Sequence, residues 1–226
     1  MTDVGVLTVV VGGLVVVLAV RVMRHVRGRR VVDPFTGMPV PGSRIGVAWT
    51  VVTVVALLVA GAVEGRHQWV QARATQVVRE VSGVPGAVAR CQRFTPALLD
   101  LGQDIGHVQW DQPTVAYLDR DVCGDLAGWL LAGADGTSRS DAVAVHVLVH
   151  EAVHVGGERD EARTECVALQ LDAQAAVTLG ASPATADALA ATYLGEVYPT
   201  MPTEYVSGSC APDGPWDLTP GDGRFP

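Results

Sequence analysis

The sequence predicts a mainly α protein with a minor β hairpin or small sheet and two N-terminal transmembrane helices. Three observations predict it. Two apolar runs, about 4–22 and 45–63, each have the length that spans a bilayer. The stretch around His150-Glu151-Ala152-Val153-His154 is hydrophobic nearly all round, which places its helix in a core rather than on a surface. Val108-Gln109-Trp110 and Thr114-Val115-Ala116-Tyr117-Leu118 are short β-prone runs joined by Asp111-Gln112-Pro113, the pattern of one hairpin.

The first apolar run follows Asp3, and its charges come after it, the reverse of a cleavable signal peptide. Arg21, Arg24, Arg27, Arg29 and Arg30 lead into a Pro/Gly linker over 33–42, closed by Arg44. The second run carries no charge. Valine-rich segments favour strands, but nineteen residues without a turn signal are too long for one. A soluble protein burying two Val-rich helices is the plainer alternative. Six Arg against Asp33 between the spans make that loop cytoplasmic by the positive-inside rule, so both termini face outward. The expected organisation is a membrane anchor over 1–63 and an extracytoplasmic domain over 64–226.

The composition changes at residue 64. Six Arg against two acids give the first segment a net charge of +4; ten Arg against twenty-two acids give the second −12. An acidic domain has no electrostatic footprint for nucleic acid. Val70, Ala74, Val77, Val78 and Val81 space out an amphipathic helix over 66–82, with Trp69 near the membrane interface. A helix over 121–133 leads through a Gly/Asp/Ser turn to the motif helix, which Ser138 or Ser140 can cap and Gly156-Gly157 ends. A second helix opens at Asp160-Glu161, and the two-glycine turn lets it fold back beside the first. Ser182-Pro183 starts another helix over 183–198, and the Pro/Gly-rich tail after Met201 reads as irregular. Cys91, Cys123, Cys166 and Cys210 all fall in the outward part, where an even count favours two disulfides; three pairings are open. No CxxC spacing offers them as metal ligands.

The chemistry is carried by the HExxH stretch. Residues four apart share a helix face, so His150 and His154 can grip one metal ion. Two imidazoles and a carboxylate suit one zinc and leave its fourth position open to water. Glu151, about 100° round from His150, is placed to take a proton from that water. In a chain this poor in His and Glu, the motif arises by chance in fewer than about one case in a hundred. His146 lies four residues before His150, but about 12 Å along the axis from His154, too far to share its ion. It reads as a packed or supporting residue.

HExxH followed by a helix bearing Glu resembles the gluzincin zinc metallopeptidases, including thermolysin-like and CaaX-processing members. Their third ligand lies in a Glu-x-x-x-Asp pattern, matched here by Glu161-Ala162-Arg163-Thr164-Glu165. The resemblance covers about thirty residues and implies a zincin-like helical core with Glu161 as ligand and Glu165 as its supporting acid. It also implies a small sheet beside the motif helix that binds extended substrate. The chain departs in carrying Glu165 in place of Asp, and in its short spacing between His154 and Glu161. It is also similar to actinobacterial two-span membrane proteins with an HExxHxxGxxDE stretch.

Asp160 keeps a claim on the third position beside Glu161 and Glu165, because the same stretch fits a metzincin-like HExxHxxGxxD pattern, with Met201 as its Met-turn residue. Tyr193, Tyr198, Tyr205, His107 and Arg163 are candidates to stabilise an oxyanion. The resulting expectation is a membrane-anchored zinc metallopeptidase acting on peptide or protein substrates, with Glu151 as general base. The rival is a non-catalytic envelope domain with a structural or vestigial metal site.

Overall fold

Residues 6–28, 35–38, 44–92, 105–221 and 225 are described by the structure, a computed structural model. The chain divides into two units, Met1–Gln68 and Trp69–Pro226.

The first unit holds helix α1 (Val6–Gly28) and the start of α2 (Arg44–Ser82). Among the described residues one helix, counted over Trp49–Ser82, is long and apolar enough to cross a membrane, where the sequence predicts two. The other expected span coincides with α1, whose side chains are described only in part, and much of the Arg-rich loop lies outside the described residues. Val51, Val52, Val55, Leu58, Val59 and Val63 all stand exposed on α2. The sequence reading also splits α2 into a span and a separate helix; the structure joins them, since no proline falls between 44 and 82.

In the second unit the end of α2 becomes a core element. Val70, Ala74, Val77 and Val78 are at most 2 % exposed, on the predicted stripe. Three strands follow: β1 (Val88–Cys91), β2 (Gly106–Val108) and β3 (Val115–Leu118). Their order is β1-β3-β2, with β1 parallel and β2 antiparallel to β3. The predicted hairpin forms as β2–β3 in the register His107↔Tyr117. Its first strand is Gly106–Val108 rather than 108–110, because Gln109 and Trp110 are taken into the turn, where Gln109 O accepts from Gln112 N. β1 was not anticipated. Its outer edge is covered by α2, whose Gln71 and Thr75 side chains accept hydrogen bonds from Cys91 N and Ala89 N, both at 3.0 Å.

Helices α3 (Arg120–Leu131), α4 (Arg139–Val155), α5 (Glu161–Leu179) and α6 (Pro183–Thr192) complete the unit. α4 packs against α3, α5, α6, β2 and β3, which explains its apolar sequence. Val145, Leu148, Val149 and Ala152 are fully buried on it, each larger side chain contributing about 1.5–3 kcal/mol. The helix expected over 183–198 ends at Thr192 and continues as a π turn (Tyr193–Val197) and a 3-10 turn (Tyr198–Thr200). Pro199 cannot donate its backbone N–H, so α-helical bonding does not run through it. The tail is irregular, with one further 3-10 turn at Thr203–Tyr205.

Disulfides tie Cys91 of β1 to Cys123 of α3, and Cys166 of α5 to Cys210 of the tail. Gln170 fastens the same tail, donating to Trp216 O and accepting from Leu218 N.

Candidate metal centre

Local sequence builds both helices of the site. α4 starts in a capping box: Ser138 Oγ accepts from Asp141 N, and Asp141 accepts from Ser138 N at 3.1 Å. It ends at Gly156, and Gly157 takes a positive φ of 105°, a conformation glycine adopts without strain. Asp160 then caps α5, its side chain accepting from Arg163 N at 2.8 Å. That employment turns Asp160 to its own helix.

The tight reversal lays α5 antiparallel to α4. His146, His150 and His154 form one stripe on α4; Glu161, Glu165 and Asp172 face it from α5, in opposite order. Glu161 Oε2 lies 3.2 Å from His150 Nε2 and 3.3 Å from His154 Nε2, and those two nitrogens are 3.1 Å apart. Glu165 Oε2 lies 3.1 Å from His150 Nδ1 and 3.0 Å from His146 Nε2, and Asp172 Oδ2 is 2.8 Å from His146 Nδ1.

The hydrogen bonds fix the tautomers. His154 Nδ1 sits 2.8 Å from the Glu158 carbonyl oxygen, which can only accept, so Nδ1 carries the proton and Nε2 the lone pair. His150 Nδ1 faces the Glu165 carboxylate in the same way, so a neutral His150 has its lone pair on Nε2. With both imidazoles neutral, two nitrogen lone pairs and a carboxylate oxygen converge as a donor set that could hold a cation; with no cation bound, the same contacts are imidazole hydrogen bonds to Glu161. A tetrahedral ion with bonds of about 2.0–2.1 Å holds its ligand atoms roughly 3.3–3.4 Å apart. The observed 3.1–3.3 Å spacing fits that edge length. His150 and His154 are buried, whereas the Glu161 side chain is 42 % exposed, so the group opens to solvent on one side.

A second group able to hold a metal, His146, His150 and Glu165, is buried throughout. A neutral His150 has one lone pair and can serve only one group at a time. The donors available to Glu165 favour the first, because its carboxylate already receives His146, His150 and the Tyr193 hydroxyl, the last at 2.9 Å.

Charges follow the same geometry. Burial works to lower the His146 pKa but is outweighed by Asp172 and Glu165, which push it up to about 10. For His150, burial is likewise outweighed, by hydrogen bonds to Glu161 and Glu165, and its pKa rises. Glu161 is lowered by its hydrogen bond to His150. Burial would raise Glu165, but the charge of His146 holds it well below the usual carboxylate range. Burial raises Asp172, with His146 acting against it. Burial and the facing Glu165 raise the Tyr193 phenol.

Glu151 is 4 % exposed, and β2 comes against it at a glycine. A Cβ on Gly106 would stand 2.7 Å from Glu151 Oε1 and 2.8 Å from its Cγ. Of the oxyanion candidates, Tyr205 brings its ring to 6.0 Å from His150. Tyr193 is committed to Glu165, Arg163 pairs with Glu158, and His107 stacks on Tyr117. Tyr198 is half-buried beside the core. Met201 Sδ lies 4.0 Å from the Tyr193 hydroxyl. Trp110 meets His154 edge-on at 5.9 Å and carries the Arg159 guanidinium over its ring.

Sequence reasoning missed Asp172 and the bond from Tyr193 to Glu165, having named His146 as a packed or supporting residue and Tyr193 as an oxyanion candidate. The available signal was spacing: Asp172 follows Glu165 by seven residues, two turns along the same face of α5. No family model, curated protein or solved structure matches this chain.

Proposed function

We propose that the protein is a membrane-anchored zinc metallopeptidase whose catalytic domain, 64–226, lies outside the cytoplasm. The observation that carries the reading is the convergence of His150 Nε2, His154 Nε2 and Glu161 Oε2 within 3.1–3.3 Å of one another, with the buried Glu151 carboxylate one residue along the same helix. Two imidazoles and one carboxylate are a donor set suited to zinc, and three protein ligands leave a coordination position open. A structural site is normally closed by four protein ligands and has no use for Glu151.

Zinc bound there supplies a Lewis acid that polarises a peptide carbonyl and acidifies water to a pKa near 7. Glu151 accepts the proton of the attacking water and returns it to the departing amine nitrogen. His154 is held for ligation by the Glu158 carbonyl, and His150 by Glu165. Tyr205, beside His150, supplies the hydroxyl for the developing oxyanion. β2 is an outer strand of the sheet and passes against Glu151, so an extended peptide pairing along it presents its backbone to the base. Two disulfides suit an oxidising compartment, and the exposed apolar face of α2 suits lipid. With α1 as a second span, the Arg-rich loop is cytoplasmic and the domain faces out.

The test is Glu151→Gln on the full chain in detergent, with zinc content measured beside cleavage of a broad peptide library. Zinc should stay near wild-type content while turnover falls by about 10²–10⁴-fold. Wild-type protein that holds zinc yet cleaves nothing refutes the peptidase reading. His150→Ala protein that binds one zinc as tightly as wild type refutes the site.

A further inference from the structure

We propose that His146 is a positioning residue for the metal centre. Clamped between Asp172 and Glu165 and assisted by Tyr193, it holds the Glu165 carboxylate against His150 Nδ1 and so turns the His150 Nε2 lone pair onto the metal. The inference rests on the reading that His150, His154 and Glu161 hold that metal.

Both ring nitrogens of His146 face carboxylate oxygens, Asp172 Oδ2 at 2.8 Å and Glu165 Oε2 at 3.0 Å. The ring is therefore held at both nitrogens, by Glu165 from one side and by Asp172 from the other, whichever of Asp172 and Nδ1 carries the proton they share. Asp172 and Glu165 are 0 % and 1 % exposed. Carboxyl groups so deeply buried need polar partners, and His146 supplies one to each from α4. Tyr193 closes the other side. Its ring stacks on His146 with centroids 3.6 Å apart, and its hydroxyl donates to Glu165 Oε1. Glu165 thus takes three donors on two oxygens, which fixes its rotamer and leaves one direction for the His150 Nδ1–H. Partners of this kind orient a ligating imidazole and raise its basicity.

The same geometry disfavours a second metal in the buried His146–His150–Glu165 group. A cation there would displace the protons that bind His146 and His150 Nδ1 to Glu165, and would strip His150 of its orientation.

The experiment uses the full chain in detergent, as wild type, His146→Ala and Tyr193→Phe. Zinc affinity is measured by competition with a chromophoric chelator, coordination by the visible spectrum of the Co(II)-loaded protein, and the fold by circular dichroism of metal-free protein. His146→Ala should weaken zinc by about 10–100-fold and alter the Co(II) spectrum. Tyr193→Phe keeps the stacked ring and removes one hydrogen bond from Glu165. It should shift both readouts in the same direction by less, and it decides the matter if His146→Ala does not fold. A residue that merely supports the fold would change thermal stability and leave the affinity and spectrum of the folded protein alone; that result overturns the inference while leaving the metal-centre reading intact. Two tightly bound metals per wild-type chain also overturn it. Wild-type protein that binds no zinc overturns the metal-centre reading and this inference with it.

Discussion

Replacing Gly106 with alanine tests the contact between the sheet and the proposed base without replacing any acid or proposed ligand. The added Cβ would stand 2.7 Å from Glu151 Oε1 and 2.8 Å from Cγ, whereas ordinary contact begins at 3.4 Å. Glu151 or β2 must therefore yield by about 0.6–0.7 Å, the shortfall against ordinary contact distances in a packed interior. Overpacking of this size costs about 1–3 kcal/mol. At about 2–4 °C per kcal/mol for a domain of this size, the unfolding midpoint should fall by several degrees. A base displaced by a large fraction of an ångström should lose up to about 10²-fold in turnover. Zinc content should stay at the wild-type level, because the ligand atoms sit on α4 and α5. The assay is a thermal melt, metal analysis and peptide cleavage on one preparation. An unchanged midpoint with unchanged turnover would refute the close approach of β2 to Glu151. Loss of zinc would show that Gly106 acts on the ligands instead.

Two further outcomes are expected. Asp160→Ala removes only the N-cap of α5, so it should cost about 1 kcal/mol of stability and leave zinc bound; Glu161→Ala should lose the metal, and the reverse pattern in metal analysis would make Asp160 the ligand. Single cysteines introduced as Thr2→Cys and Pro220→Cys should react in intact cells with a thiol reagent that cannot cross membranes. Gly37→Cys should not, and the native cysteines, all bridged, should stay silent; labelling at 37 would invert the proposed topology.

The helices were legible because their ends are written in side chains. Ser138 with Asp141, Asp160, and Ser182 each accept from backbone N–H groups where the sequence predicts a start, and Pro183 brings no N–H that needs a partner. β1 was not legible, because Val88-Ala89-Arg90-Cys91 is too short and too mixed to separate from a loop. Its edge bonds come from Gln71 and Thr75 on α2, long-range partners that no local pattern announces. Disulfide pairing was closed to the sequence for the same reason: Cys91–Cys123 depends on β1 lying beside α3, and Cys166–Cys210 on the tail crossing α5.

The site was half legible, and the dividing line is physical. Helical periodicity places His150 and His154 together, but a ligand set is completed by tertiary packing. Which acid completes it depends on how far α5 slides along α4. The short reversal from Gly156 to Asp160 sets that register by putting Glu161 at the first turn of α5, level with His154 and His150. One turn further, Glu165 falls level with His150 and His146, so the same register that makes Glu161 available gives Glu165 the opposite nitrogen of His150. The distance from His146 to His154 correctly removes His146 from the first group. It says nothing about carboxylates arriving from a second helix. Asp172, two turns beyond Glu165, is the acid that ties His146, read from the sequence as a packed or supporting residue, into a buried network.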